Sequence, residues 1–235
     1  KWPSFDVRWF IDTNTAGATT FNLPNGTHIV GNGSTSKITL ADASVIYDAW
    51  FYTASDSITI NGMIFDGNKQ NTTSDNEQTH LFDLSAGTNY QWTVNNSIFK
   101  NFRRDAFKIL SCEGIYFENC IFDENQRCHL LFLRCFIYAY VNFCRFTNGG
   151  DGHIDFEPTG SDSLRNIYIT NNYFGSFLQG SYAMSVSSPG SGIPAKGVYV
   201  QNNTFEQGGI YAAGTIREMY IERNIFRNSR LAASS

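Results

Sequence analysis

At 235 residues the chain is long enough to bury a substantial core, and a composition 42% apolar and 15% aromatic with 16% charged residues excludes a disordered polymer. A net charge of -4 without any Lys or Arg run excludes a phosphate-binding groove, so no nucleic-acid partner is expected. No apolar stretch is long enough to cross a bilayer, so no membrane insertion is expected, and residues 1–10 lack the apolar run and cleavage site of a signal peptide.

Residues 1–56 begin without Met, which suggests a segment of a longer chain. Within them "NLPNGTHIVGNGSTSKITL" sets turn residues between short apolar runs, as the opening coils of a solenoid would. Over residues 57–235 one phrase recurs: "SITINGMIF", "WTVNNSIF", "IYFENCIF", "AYVNFCRF", "IYITNNYF", "VYVQNNTF" and "MYIERNIF". The phrases end on Phe65, Phe99, Phe122, Phe146, Phe174, Phe205 and Phe226, at unequal spacing. A constant phrase with variable spacers predicts coils that stack in register while their loops vary, and both segments then form one domain.

The fifth and seventh residues before each Phe are nearly always apolar: Ile58/Ile60, Trp92/Val94, Ile115/Phe117, Ala139/Val141, Ile167/Ile169, Val198/Val200 and Met219/Ile221. A period of two predicts a strand with these side chains inside. The residue between them points outward, giving a column of Thr59, Thr93, Tyr116, Tyr140, Tyr168, Tyr199 and Tyr220. Two positions before the Phe stand Met63, Ser97, Cys120, Cys144, Asn172, Asn203 and Asn224. At an inter-strand step of about 4.8 Å the three asparagines predict an amide ladder, and the thiols in the same column read as small buried groups. The five cysteines, Cys112, Cys120, Cys128, Cys135 and Cys144, carry no CxxC or CxxH spacing, so neither a zinc site nor a disulfide framework is expected.

A second short strand follows each Phe: "HLFDL", "AFKIL", "HLLFL", "HIDFE", "AMSVS" and "GIYAA". Two or three short strands per turn with few helix signals predict an all-β, right-handed parallel β-helix of about eight coils. Residues 68–80 and 187–197 are its long polar insertions.

Chemistry concentrates in "NGGDGHIDFEPTG", with Asp151, His153, Asp155 and Glu157 at every second position. If Ile154 and Phe156 point inward, His153, Asp155 and Glu157 share the outer face, about 6.5–7 Å apart along the strand, a spacing that suits an inverting glycosidase. Aligning the second strands puts Asp83, Lys108, Leu131 and Asp155 in one outward column, His129 below His153, and Arg104, Asp105 and Arg127 at the preceding turns. Histidines beside carboxylates are expected to titrate near neutrality.

The phrases, the ladder and "IVGNGSTSKI" together resemble the pectate-lyase-like right-handed parallel β-helix superfamily. "DGHIDFEP" is similar to the "DGIDxEP" phrase of bacteriophage tailspikes and related depolymerases. The resemblance implies contact with a surface polysaccharide, a side-by-side homotrimer, and a place on a virion (a phage tail or appendage) or outside the cell. It leaves the reaction open: hydrolase, lyase or no catalysis. Of the polygalacturonase-type Asn-x-Asp, Asp-Asp and Gly-His-Gly series only "GDGHID" is present, and the "DPHD" motif of mannuronan epimerases is absent. No cofactor is expected, and no carboxylate set for a calcium ion can be assembled.

On this reading the catalytic candidates are Asp155, Glu157, His153, His129 and Asp151. Lys108, Arg104 and Arg127 are candidates to hold a sugar carboxylate, and Tyr116, Tyr140 and Tyr168 to stack on sugar rings or form a subunit interface. Each has a plainer reading. Outward strand positions on any solenoid are polar, Asp151 fits a Gly-rich turn, and Lys108 with Asp83 fits a surface ion pair. The competing functions are a glycan-binding adhesin without catalysis and a structural spike segment.

Overall fold

The computed structural model describes residues 9–11, 21–40, 49–52, 54–71, 80–85, 89–110, 112–133, 138–158, 164–180, 182–188 and 195–234. Every strand pairing among them is parallel, and they form two sheets of eight and fifteen strands. One strand per coil builds the eight-stranded sheet, the first face, which carries the tyrosine column. The larger sheet holds two stacks, a Phe face and a third face made of the second strands. They fuse where the long strand Thr204–Ala213 pairs with Tyr173–Phe174 through its first half and with Met184–Ser187 through its second.

Seven phenylalanines stack inside, as the phrase predicts. Successive ring centroids from Phe65 to Phe226 lie 4.7–5.4 Å apart with planes within 18° of parallel. The first six rings are wholly buried. Burial of each contributes roughly 2 kcal/mol.

The corner between the first face and the Phe face explains the asparagines. The third residue before each Phe has left-handed φ: Gly62, Asn96, Asn119, Phe143, Asn171, Asn202 and Arg223. Asn and Gly adopt that conformation most readily. Phe143 does so with its ring 59% exposed, at φ 51°. Phe143→Asn is therefore expected to raise stability by about 0.5–1 kcal/mol in urea denaturation.

One residue later the chain turns inward onto the amide ladder. Asn203 Nδ2 donates to Asn224 Oδ1 (3.0 Å) and to the Ile169 carbonyl (2.8 Å), and Asn203 Oδ1 accepts from the Asn172 backbone N–H (2.8 Å). Cys120 and Cys144 continue the column as buried free thiols. Burial pushes the Cys144 thiol well above its usual pKa, and burial does the same for Cys112. Cys135 lies outside the described residues. Asn203→Ala is expected to cost about 2 kcal/mol in the same denaturation experiment, because it orphans Asn172 N–H and Ile169 C=O in the interior.

Candidate functional site

The third face aligns as predicted: Asp83 pairs with Lys108, Lys108 with Leu131, Leu131 with Asp155 and Asp155 with Ser185. Ile154 and Phe156 are buried, which turns Asp155 and Glu157 outward. Asp155 is half-buried and accepts a hydrogen bond from the Ser185 hydroxyl; Glu157 is exposed.

Burial raises the Asp155 carboxyl to about 7. The Ser185 bond and the Arg127 charge pull it down, and the charge and hydrogen bond of Glu157 push it up. Glu157 thus acts on Asp155 as a neighbouring group on the same outer face. Near neutral pH Asp155 is therefore poised to give up a proton on the outer face.

Arg127 borders the pair and is strongly held. Its Nη1 lies 3.5 Å from Asp105 Oδ2, and the charges of Glu157 and Asp155 also act on it. Asp105 is fully buried; its Oδ1 accepts from Cys128 N (2.9 Å) and its Oδ2 sits 3.2 Å from His80 Nδ1. The His80–Asp105 contact went unread in the sequence although a signal existed. His80, Asp105 and Cys128 each stand two residues before the first strand residue of their coil, Phe82, Phe107 and Leu130.

Lys108 does not present a free ammonium to a ligand. It is 3.0 Å from Asp83 Oδ2, and both side chains are largely withdrawn from water. Arg104 is half-buried in the turn before Phe107–Ile109. Asp151 is exposed in a tight turn whose N–H donates to the Arg127 carbonyl (3.3 Å), and no hydrogen bond among the described residues joins its carboxylate to Asp155 or Glu157.

The histidines require correction. His129 lies against His153 as aligned, with ring centroids 5.2 Å apart, but both rings are inside and wholly buried among Phe122, Phe146 and Phe174. The alternation fails at the corner because one carbonyl serves two successive N–H groups. His153 O accepts from His129 N and Leu130 N, and Ala183 O accepts from His153 N and Ile154 N. Two consecutive side chains then point inward. Burial, followed by the His153 charge, drives His129 well below its usual pKa, and burial drives His153 to about 4. Neither titrates near neutrality, and neither can reach a polysaccharide.

His153 binds its proton less readily folded than unfolded, so its contribution to stability is intact above pH 6.5 and lost as the pH falls toward 4. His153→Leu should remove that loss. Its stability relative to wild type is expected to rise between pH 6.5 and 4 by roughly 3 kcal/mol in urea denaturation, on the scale of 1.36 kcal/mol per pKa unit.

The tyrosine column faces outward as predicted, yet its rings use their faces on one another. Tyr116, Tyr140, Tyr168, Tyr199 and Tyr220 stack 4.6–5.0 Å apart with planes within 9° of parallel. Tyr140 and Tyr168 have both faces covered and offer no flat platform for a sugar ring, while Tyr116, beside Thr93 at one end of the stack, has a tyrosine on one face alone.

A parallel solenoid with a polar cluster on one outer face defines the class, and the family follows from the sequence match. The family model for the right-handed β-helix region matches residues 83–234, and the chain belongs to that family. No curated protein matches the chain. Among solved structures it is similar to the Azotobacter vinelandii mannuronan C-5 epimerase AlgE4 A-module, at 12% identity over 97% of this chain and 87% of that one, with a TM-score of 0.38.

Proposed function

We propose that this protein binds a surface or extracellular polysaccharide along the third face and hydrolyses it with Asp155 and Glu157. The observation that carries the reading is the carboxyl pair itself: a half-buried Asp155, its carboxyl raised by burial to about 7, stands two residues from an exposed Glu157 on the same outer face. Asp155 gives its proton to the glycosidic oxygen as the C–O bond breaks. Glu157 takes a proton from the water whose oxygen adds to the anomeric carbon from the opposite face, and exchange with solvent returns Asp155 to its acid and Glu157 to its carboxylate. Lyase chemistry is less well supported, because His129 and His153 are inside and the tyrosines lie on another face. Assembly as a side-by-side homotrimer and a place on a virion or outside the cell belong to the same proposal and rest on the tailspike resemblance.

Incubation with a panel of neutral and acidic polysaccharides, followed by reducing-end and unsaturated-product assays, tests this. Reducing ends without ultraviolet-absorbing products, lost in Glu157→Gln, are expected. Binding without any product would replace the enzyme by an adhesin.

A further inference from the structure

One cavity on the outer surface away from the carboxyl pair has no role in the mechanism above. It measures about 420 Å³ and is lined by Phe177, Gly180, Gln207, Gly208, Asn228, Ser229 and Arg230, a volume in the range of small-ligand sites. Its floor is the buried Phe177 ring, pressed so closely on the backbone that a Cβ on Gly208 would stand 2.5 Å from the ring. Gly208 has φ +82°, so only glycine keeps this floor open without strain.

The walls are polar and ordered by the solenoid. Gln207 and Asn228 are in register on consecutive coils, which sets two exposed carboxamides side by side at the inter-strand step of about 4.8 Å. Neither has a side-chain partner among the described residues. Arg230 closes the rim. Its guanidinium lies 5.2 Å from the Tyr182 ring centroid, its Nη2 donates to the Tyr182 hydroxyl at 3.3 Å, and Tyr182 in turn stacks on Tyr211 at 4.8 Å. The cation is thus held in place by aromatic contacts, and no carboxylate among the described residues pairs with it. A guanidinium kept in place without a counter-charge, beside two amides and a hydroxyl, suits an oxyanion attached to a hydroxylated ring.

The Gly180 turn packs directly on the Asp151 carbonyl, and the Asp151 N–H donates to the Arg127 carbonyl, so backbone contacts between successive coils connect the Arg127 turn to the Gly180 edge of the cavity. We infer that the Phe177–Arg230 cavity is a subsite for an anionic sugar unit of the polymer, with Arg230 taking the acidic group and Gln207 and Asn228 the ring hydroxyls. The inference rests on the polysaccharide reading and adds the charge of the substrate to it.

Calorimetric titration decides it, using a short uronic-acid oligosaccharide, the same oligosaccharide with its carboxylates methyl-esterified, and sodium phosphate. The acidic oligosaccharide should bind, the ester about tenfold or more weakly, and phosphate more weakly than either. Arg230→Ala should weaken the acidic oligosaccharide about 10- to 100-fold, as loss of one charged hydrogen bond does, and Arg230→Lys should restore part of it. Gln207→Ala, also at an exposed position, should weaken acid and ester alike. Equal binding of ester and acid, unchanged binding by Arg230→Ala, or binding of phosphate alone would overturn the subsite. Asp155→Asn should bind as wild type does. Binding that depends on Arg230 without any turnover would leave the subsite standing and remove the cleavage; turnover with binding indifferent to Arg230 would do the reverse.

Discussion

Phe146→Ala is expected to lower the free energy of unfolding by about 3–5 kcal/mol, read as a shift of the urea midpoint at constant slope. Phe146 is wholly buried, with Phe122 on one side at 4.9 Å and Phe174 on the other at 5.0 Å, both nearly parallel to it. Truncation removes two stacking contacts and the burial of one ring, and the cavity cannot collapse because strands fixed in register hold its walls. The void would also border His129 and His153, whose centroids lie 5.9 and 6.1 Å from the Phe146 ring. Phe226, half-buried with one ring neighbour, should cost about half as much. Equal losses at the two positions would mean that the stack is not the source of the stability.

Asp155→Asn should abolish hydrolysis while stabilising the protein at alkaline pH. Removing a general acid typically costs about 10²–10⁴ in rate. The stability effect follows from linkage. The Asp155 carboxyl has its pKa raised from 3.8 to about 7 on folding, so the folded state binds a proton that the unfolded state has released in that window. Its contribution is fully present below pH 3.8 and is lost as the pH rises through 7. An amide of the same shape stays neutral throughout and can still accept from Ser185. At pH 8 the variant is therefore expected to be more stable than wild type by roughly 2 kcal/mol, discounted for the partial exposure of the group, and about equal to it at pH 4. Thermal unfolding at the two pH values checks the sign. A variant less stable than wild type at pH 8 would show that Asp155 is an ordinary surface carboxylate.

How much could be read beforehand depends on where the backbone is regular. The phrase ending on Phe defines straight strands, so the Phe stack, the tyrosine column, the asparagine ladder and the Asp83–Lys108–Leu131–Asp155 column were all legible from a period of two. The reading failed at corners and at side-chain ends. His153 was assigned outward by counting from Ile154 across a corner where a shared carbonyl resets the alternation. The tyrosines were placed on the right face, but a pattern of residue types does not tell whether stacked rings leave their faces free. Burial raises the Asp155 carboxyl to about 7, which a pattern of residue types cannot report. The Phe177–Arg230 cavity joins three successive coils through turns of unequal length, so no linear motif marks it.

The most direct measurement is the titration of the Asp155 carboxyl carbon by NMR, in wild type and in Glu157→Gln. A midpoint near 7 that falls when the Glu157 charge is removed is the result this account requires. A midpoint near 4, unmoved by Glu157→Gln, would mean that the outer face of this coil holds no acid for catalysis.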